Sequence, residues 1–332
     1  MELNEFADWS TDEFNLMKKG LIVSTSLRRR TFHEDSNSES DSKENLRRRL
    51  QKLYDEHLYQ RRIKRSMIYR RTHERFHDRR GFIDWIIGLF NKTTSGGSEG
   101  SGGGNSGSSD SFDWRSKNVV GSVKNQLNCG SCYAFATASV LESLYAIKTN
   151  SKTVTNLSPQ QIVDCSSNGN NGCNGGNFVP SLRYVAGQGN KIATWDSYPY
   201  AGARRTCQTS GIKQVDVGTI KYNSIEQGDE KAMQEALVNY GPLFIGLDTS
   251  SQLFMFYQSG VLNINNCPNR MQDMDHAMVV VGYGYDSTLK VPYWIIKNSW
   301  AEKWGENGYV RLIKDKGNMC GIASMAYYAT LT

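Results

Sequence analysis

The stretch Gln126-Leu127-Asn128-Cys129-Gly130-Ser131-Cys132-Tyr133-Ala134-Phe135 constrains this chain more than any other. A polar, glycine-containing loop runs into a helical pattern, and Cys132 stands at the join. Phe135, Ala138, Leu141, Glu142 and Tyr145 recur at helical spacing, with no Pro or Gly before Asn150, which predicts a helix. Ser131 is the predicted N-cap. Cys132 then occupies the first turn, facing the positive end of the helix dipole. A free thiol titrates near ~8.5, but at a helix N-terminus beside an imidazolium its pKa can fall to about 3–4. The join therefore offers a nucleophile together with a means of activating it.

A cysteine nucleophile needs a base. Of the five histidines, His33, His57, His73 and His77 lie upstream of the join, and only His276 lies beyond it. A lone histidine is usually structural. As the sole imidazole downstream of a poised cysteine, His276 becomes the expected partner, and Met274-Asp275-His276-Ala277 puts it at the mouth of a valine-rich strand. The seven cysteines all fall between Cys129 and Cys320. An odd count in one module suggests three disulfides, one free thiol and an oxidising compartment. Sequence alone leaves the pairing open.

Cys129-Gly-Ser-Cys132-Tyr133 is also a local signature of papain and cathepsin nucleophiles, and His276 follows at roughly the 130–150 residues of that group. Asp113-Trp114-Arg115, Gly172-Cys173-Asn174-Gly175-Gly176, Lys297-Asn298-Ser299-Trp300 and Trp304-Gly305-Glu306-Asn307-Gly308-Tyr309 agree with it. Over roughly residues 110–332 the chain resembles the papain-like cysteine proteases, nearest their cathepsin L-like branch. Tyr133 stands where most of the family has Trp.

The resemblance implies an α+β, papain-like two-lobe fold. A helical N-terminal lobe meets an antiparallel β-barrel-like C-terminal lobe, with the active site in the cleft between them. The β-branched and aromatic runs after about Val215, such as Met278–Gly284 and Tyr293–Lys297, agree with short strands. By the same resemblance Cys132 is the nucleophile, His276 its acid and base, and Asn298 the amide that orients the imidazole. Trp300 covers that hydrogen bond, and the Gln126 side chain joins the Cys132 N–H in receiving the oxyanion. The implied disulfides are Cys129–Cys173, Cys165–Cys207 and Cys267–Cys320. Gly175 and Gly176 match the strand that binds the substrate backbone. Phe178, Gly246, Met274, Ala277 and Met325 match the pocket for the second residue before the scissile bond. All five are apolar or small, so Leu, Val or Phe is expected there and Arg is not. No long insert caps the cleft, so endopeptidase action on polypeptides is expected, by a monomer that needs no metal or other cofactor.

Upstream of the catalytic module (111–332), three segments are expected. Residues 1–20 look like the distal part of an inhibitory propeptide, one capable of an intramolecular contact with the enzyme. Residues 21–94 form a basic accessory segment without counterpart in the family, with a long helix expected from about 44 to 78. The apolar patch Phe82–Phe90 is too short to span a bilayer. Arg62-Ile63-Lys64-Arg65 resembles a processing site, and Asn91-Lys92-Thr93 a glycosylation acceptor. Residues 95–110 are nearly all Gly and Ser, a flexible linker and natural boundary. The start lacks the apolar core of a signal peptide. With disulfides expected, the chain reads as an N-terminally incomplete precursor of a lysosomal or extracellular protein.

The formal charge of +6 is concentrated between Arg28 and Arg80, so it describes the accessory segment. No recognised fold supports a nucleic-acid partner, and no apolar run is long enough for a transmembrane anchor. A thiol–disulfide oxidoreductase would need a βαβ pattern around Cys129 and Cys132, which is missing. A zinc module would need paired ligand spacing, and His276 is isolated. A catalytically dead homologue is disfavoured by the joint presence of Gln126, Cys132, His276 and Asn298.

Overall fold

The computed structural model describes residues 111–332. The readings made upstream lie outside the described residues: the propeptide remnant, the basic segment and its helix, the apolar patch, the site after Arg65, Asn91 and the Gly/Ser linker.

Helix α1 (Cys132–Lys148) starts at the candidate nucleophile, as its spacing predicts. It is buried on almost every side, not along one stripe. Ala134, Ala136, Ala138 and Ala146 keep its surface small, so neighbours can approach from several directions. It stops where Asn150 turns into the left-handed region. Ser131 holds the N-cap position but its side chain caps nothing in the helix, contrary to expectation. Its hydroxyl is drawn to the Tyr200 hydroxyl instead, 2.7 Å away. Around α1 stand α2 (Pro159–Cys165), capped by Ser158, and α3 (Phe178–Gly187), capped by Asn177.

The sheet alternates as a two-sided strand pattern requires. Its path runs β4 (Ile220–Ser224), β10 (Met325–Leu331), β5 (Leu243–Leu247), β7 (His276–Asp286), β8 (Val291–Lys297), β9 (Tyr309–Ile313) and β6 (Val261–Leu262), with β1 (Phe112–Asp113) added to β7. A separate pair joins β2 (Lys191–Ala193) to β3 (Gln214–Asp216). Phe244, Ala277, Val279 and Val281 face the core built around α1. Leu243, Ile245, Met278, Val280, Trp294 and Ile296 face a second core with α4 (Glu230–Tyr240), α5 (Gln252–Met255), Trp300 and Trp304. The expected α+β class is therefore observed, with two refinements. The strands do not close into a barrel, and β6 pairs with β9 in parallel. Three disulfides, Cys129–Cys173, Cys165–Cys207 and Cys267–Cys320, join the pairs that the resemblance implied.

Candidate active site

Cys132 is the cysteine that stands outside the three disulfides. Its Sγ accepts the backbone N–H of Ala277 at 3.4 Å, which brings the first residue of α1 against the first two residues of β7. Two features thus favour negative charge on this sulfur: the helix N-terminus and a donated N–H.

His276 is the first residue of β7, and its ring is fully buried. The register that pairs Val279 with Lys297 brings position 276 opposite position 300 when continued. Accordingly Trp300 lies over the imidazole, with ring centroids 4.6 Å apart. Phe254 and Trp304 both meet Trp300 edge-on, with ring centroids 5.7 and 5.2 Å away, and keep it in place. His276 Nε2 is 2.8 Å from Asn298 Oδ1. The Ser299 N–H donates to the same Oδ1 at 2.8 Å, so that atom is an acceptor and Nε2 must carry the proton. The tautomer follows: the neutral ring carries its proton on Nε2, and Nδ1 is the unprotonated nitrogen.

Gln126 is fully buried. Its backbone N–H donates to Ser299 O at 2.9 Å, and its Oε1 accepts the Ser299 hydroxyl at 2.7 Å. Its Nε2 donates to Cys129 O at 2.9 Å. The amide plane is therefore clamped between the loop before α1 and the segment after β8. The structure thus brings Gln126, Cys132, His276, Asn298 and Trp300 into one site.

The glycine segment is tied to the same helix end. The Tyr133 hydroxyl donates to Gly172 O at 3.0 Å, and Gly130 N–H donates to Cys173 O at 3.0 Å. A side chain at Gly176 would run into the Tyr133 ring, 2.6 Å from the nearest carbon. Gly175, at φ 108°, occupies backbone space that favours glycine. Met325, Gly246 and Ala277 form one row across β10, β5 and β7. Met274 lies just before β7, and Asn177 Nδ2 reaches the Met325 sulfur at 3.8 Å. Phe178 is fully buried, its ring stacked on that of Phe244 in β5 at 4.5 Å.

Residues 108–330 match the papain family cysteine protease profile. The chain belongs to the papain family of cysteine proteases. It is 41% identical to cathepsin L1 of Drosophila melanogaster over 221 residues, which is 66% of this chain and 57% of that protein. It is 40% identical to human cathepsin L2 over 223 residues, 66% of this chain and 64% of the relative. The chain thus spans less than two thirds of the length of these curated relatives. Among solved structures it resembles bromelain from Ananas comosus in complex with the E64 inhibitor, at 36% identity and TM-score 0.59, covering 67% of this chain and 99% of that one. It also resembles digestive procathepsin L 3 from the Tenebrio molitor larval midgut, at 37% identity and TM-score 0.59, covering 67% and 69%.

In this papain-family site the sequence motifs leave three features unannounced. Ser299 grips Gln126 from both its backbone and its hydroxyl. Tyr200 touches the loop before Cys132 from a segment with no recognised motif. Lys297, next to Asn298, is buried and donates to Ser139 Oγ at 2.9 Å. Burial pushes its pKa down to about 8, against the pull of Glu142. A cavity of about 20 Å³ lies beside Lys297, Ser139, Glu142 and Asn298, room for about one water molecule. Lys297 and Ser299 stand inside the Lys297-Asn298-Ser299-Trp300 motif, which announces neither contact, and Tyr200 stands in none of the quoted motifs.

Proposed function

We propose that the module is a cysteine endopeptidase in which a Cys132 thiolate and a His276 imidazolium work as a pair. The observation that carries this is the contact of Cys132 Sγ with the Ala277 N–H, one residue from an imidazole whose tautomer Asn298 and Ser299 set. The thiolate attacks the scissile carbonyl carbon. The C–S bond forms while the carbonyl electron pair moves onto oxygen. The Gln126 side-chain amide and the Cys132 backbone N–H receive that oxyanion. Collapse expels the amine, which takes the proton from His276 Nδ1. Neutral His276 then takes a proton from water as it attacks the thioester, and a second collapse returns the acid product and the thiolate.

The row of Met325, Gly246 and Ala277, with Met274 beside it, supports a preference for apolar residues at the second position before the scissile bond. Phe178, stacked on Phe244 of the central strand of that row, supports the same preference. Three disulfides support an oxidising compartment, lysosomal or extracellular. Among the described residues no helix is long and apolar enough to cross a membrane. The proforms among the structural relatives support synthesis as a precursor whose upstream residues contact the enzyme.

The test is labelling of the processed protein by an epoxide inhibitor, read beside hydrolysis of peptides with Leu or Arg at that second position. One label per chain on Cys132, lost in Cys132→Ala, and faster cleavage after the Leu peptide are expected. No label, or hydrolysis surviving Cys132→Ala, overturns the reading.

A further inference from the structure

We propose that Tyr200 is a positioning residue of this site: its hydroxyl, strung between Ser131 and the backbone of Gln126, sets the separation of the two donors that receive the oxyanion. This rests on the peptidase reading, because an oxyanion forms only if acyl transfer occurs at Cys132.

The direction of the hydrogen bonds can be worked out from proton counts. Tyr200 donates its single hydroxyl proton to Gln126 O, a carbonyl that can only accept, at 2.7 Å. Ser131 Oγ lies 2.7 Å from the same phenol oxygen, so Ser131 must be the donor there. The result is a one-way chain from Ser131 through Tyr200 to Gln126. Ser131 directly precedes Cys132 and stands at the N-cap of α1, with its hydroxyl turned to Tyr200 at 2.7 Å, and more distantly to Cys129 O at 3.4 Å, and not to the helix. Gln126 is the other end of the same loop. One phenol therefore bridges the mouth of the loop that carries both donors. Burial raises the pKa of this phenol above its ordinary value, so it stays protonated and able to donate across the working range.

The mount is independent of the loop it holds. Gln160 of α2 accepts the Ala201 N–H and donates to Ala203 O, both at 2.8 Å. The Cys165–Cys207 disulfide ties the same segment to the end of α2. The Tyr200 ring packs edge-on against Phe135, with centroids 4.7 Å apart. The loop, by contrast, holds Leu127 in the left-handed region at φ 53°, a conformation that needs outside support. A rigid bracket steadies a strained loop at the two points that matter for the chemistry.

Tyr200→Phe keeps the ring and removes only the hydroxyl, and Ser131→Ala removes the other link while leaving Tyr200 whole. Both are made in the full chain and compared after the same processing. Three quantities are read: kcat and KM on a fluorogenic peptide, affinity for a peptide aldehyde, and the rate and pH profile of Cys132 alkylation by iodoacetamide. The aldehyde forms a C–S bond to Cys132 and places an oxyanion among the donors. Alkylation displaces iodide and forms no oxyanion. For each variant kcat is expected to fall roughly 10-fold, short of the 10²–10³ lost when a donor is deleted outright, with KM held. Aldehyde affinity falls by the same factor, and the alkylation rate and pH profile stay put. Wild-type kcat and aldehyde affinity in both variants overturns the proposal, as does an equal loss in alkylation, which marks general damage. An unmodified protein that neither cleaves peptide nor binds aldehyde refutes the peptidase reading instead. Should Tyr200→Phe fail to fold, Ser131→Ala decides.

Discussion

Replacing Lys297 by Met, in a Cys132→Ser background that prevents autolysis and thiol exchange, removes a buried cation while keeping the unbranched stem. In the folded protein this amine is pushed from 10.5 down to about 8 by burial, with Glu142 pulling the other way and Lys124 adding to the fall. The unfolded chain restores the ordinary value. The difference is worth about 3 kcal/mol of destabilisation while both states are protonated. Between pH 8 and 10.5 the unfolded chain holds the extra proton, so the stability contributed by this group rises with pH across that window. The penalty is therefore full below pH 8 and gone above 10.5. Lost packing and the lost hydrogen bond to Ser139 shift the stability of the Met variant by an amount that does not depend on pH. The difference in unfolding free energy, Met minus Lys, is expected to shrink by about 2.5 kcal/mol from pH 7 to pH 10. Urea unfolding followed by tryptophan fluorescence at the two pH values measures it. An equal difference at both would show that Lys297 is not desolvated in the folded state.

Three further outcomes are expected. Gln126→Ala lowers kcat by about 10²–10³ with KM little changed; steady-state kinetics that show a KM effect alone would remove Gln126 from the oxyanion role. Replacing Cys165 and Cys207 by Ala costs about 2–5 kcal/mol of stability, as expected for a bridge with sequence separation 42; unchanged denaturation midpoints would contradict this. Met325→Glu puts a carboxylate in the row with Gly246 and Ala277. The ratio of kcat/KM for Arg over Leu at the second position before the cut is then expected to rise at least about tenfold, and an unaltered ratio would reassign the pocket.

The parts of the site that the sequence announces are those that need a particular chemical group beside a change of local structure. Cys132 is visible because a loop becomes a helix there. His276 is visible because no other imidazole lies downstream. The strands around Val279 and Ile295 are visible as β-branched and aromatic runs. Asn298 and the disulfide pairs are legible only through resemblance, since nothing local says which amide or which cysteine lies across the fold. Tyr200 and Lys297 are silent for a different reason. Each acts by where the chain carries it, Tyr200 from a loop after β2 and Lys297 at the last residue of β8, and their types are ordinary for such places.

The pleat of β7 has a consequence for how this protein can change over generations. His276 turns its ring to Trp300 in one core, while Ala277 belongs to the other, and the amide between them reaches the sulfur. The imidazole and the residue that contacts the sulfur are thus consecutive links of one zigzag. A single codon gained between Ala277 and Val279 would turn the imidazole to the wrong side and offer the Ala277 methyl group in its place, even though every amino acid of the site was still encoded. Point changes around this strand can be sampled one at a time, whereas its phase admits no intermediate.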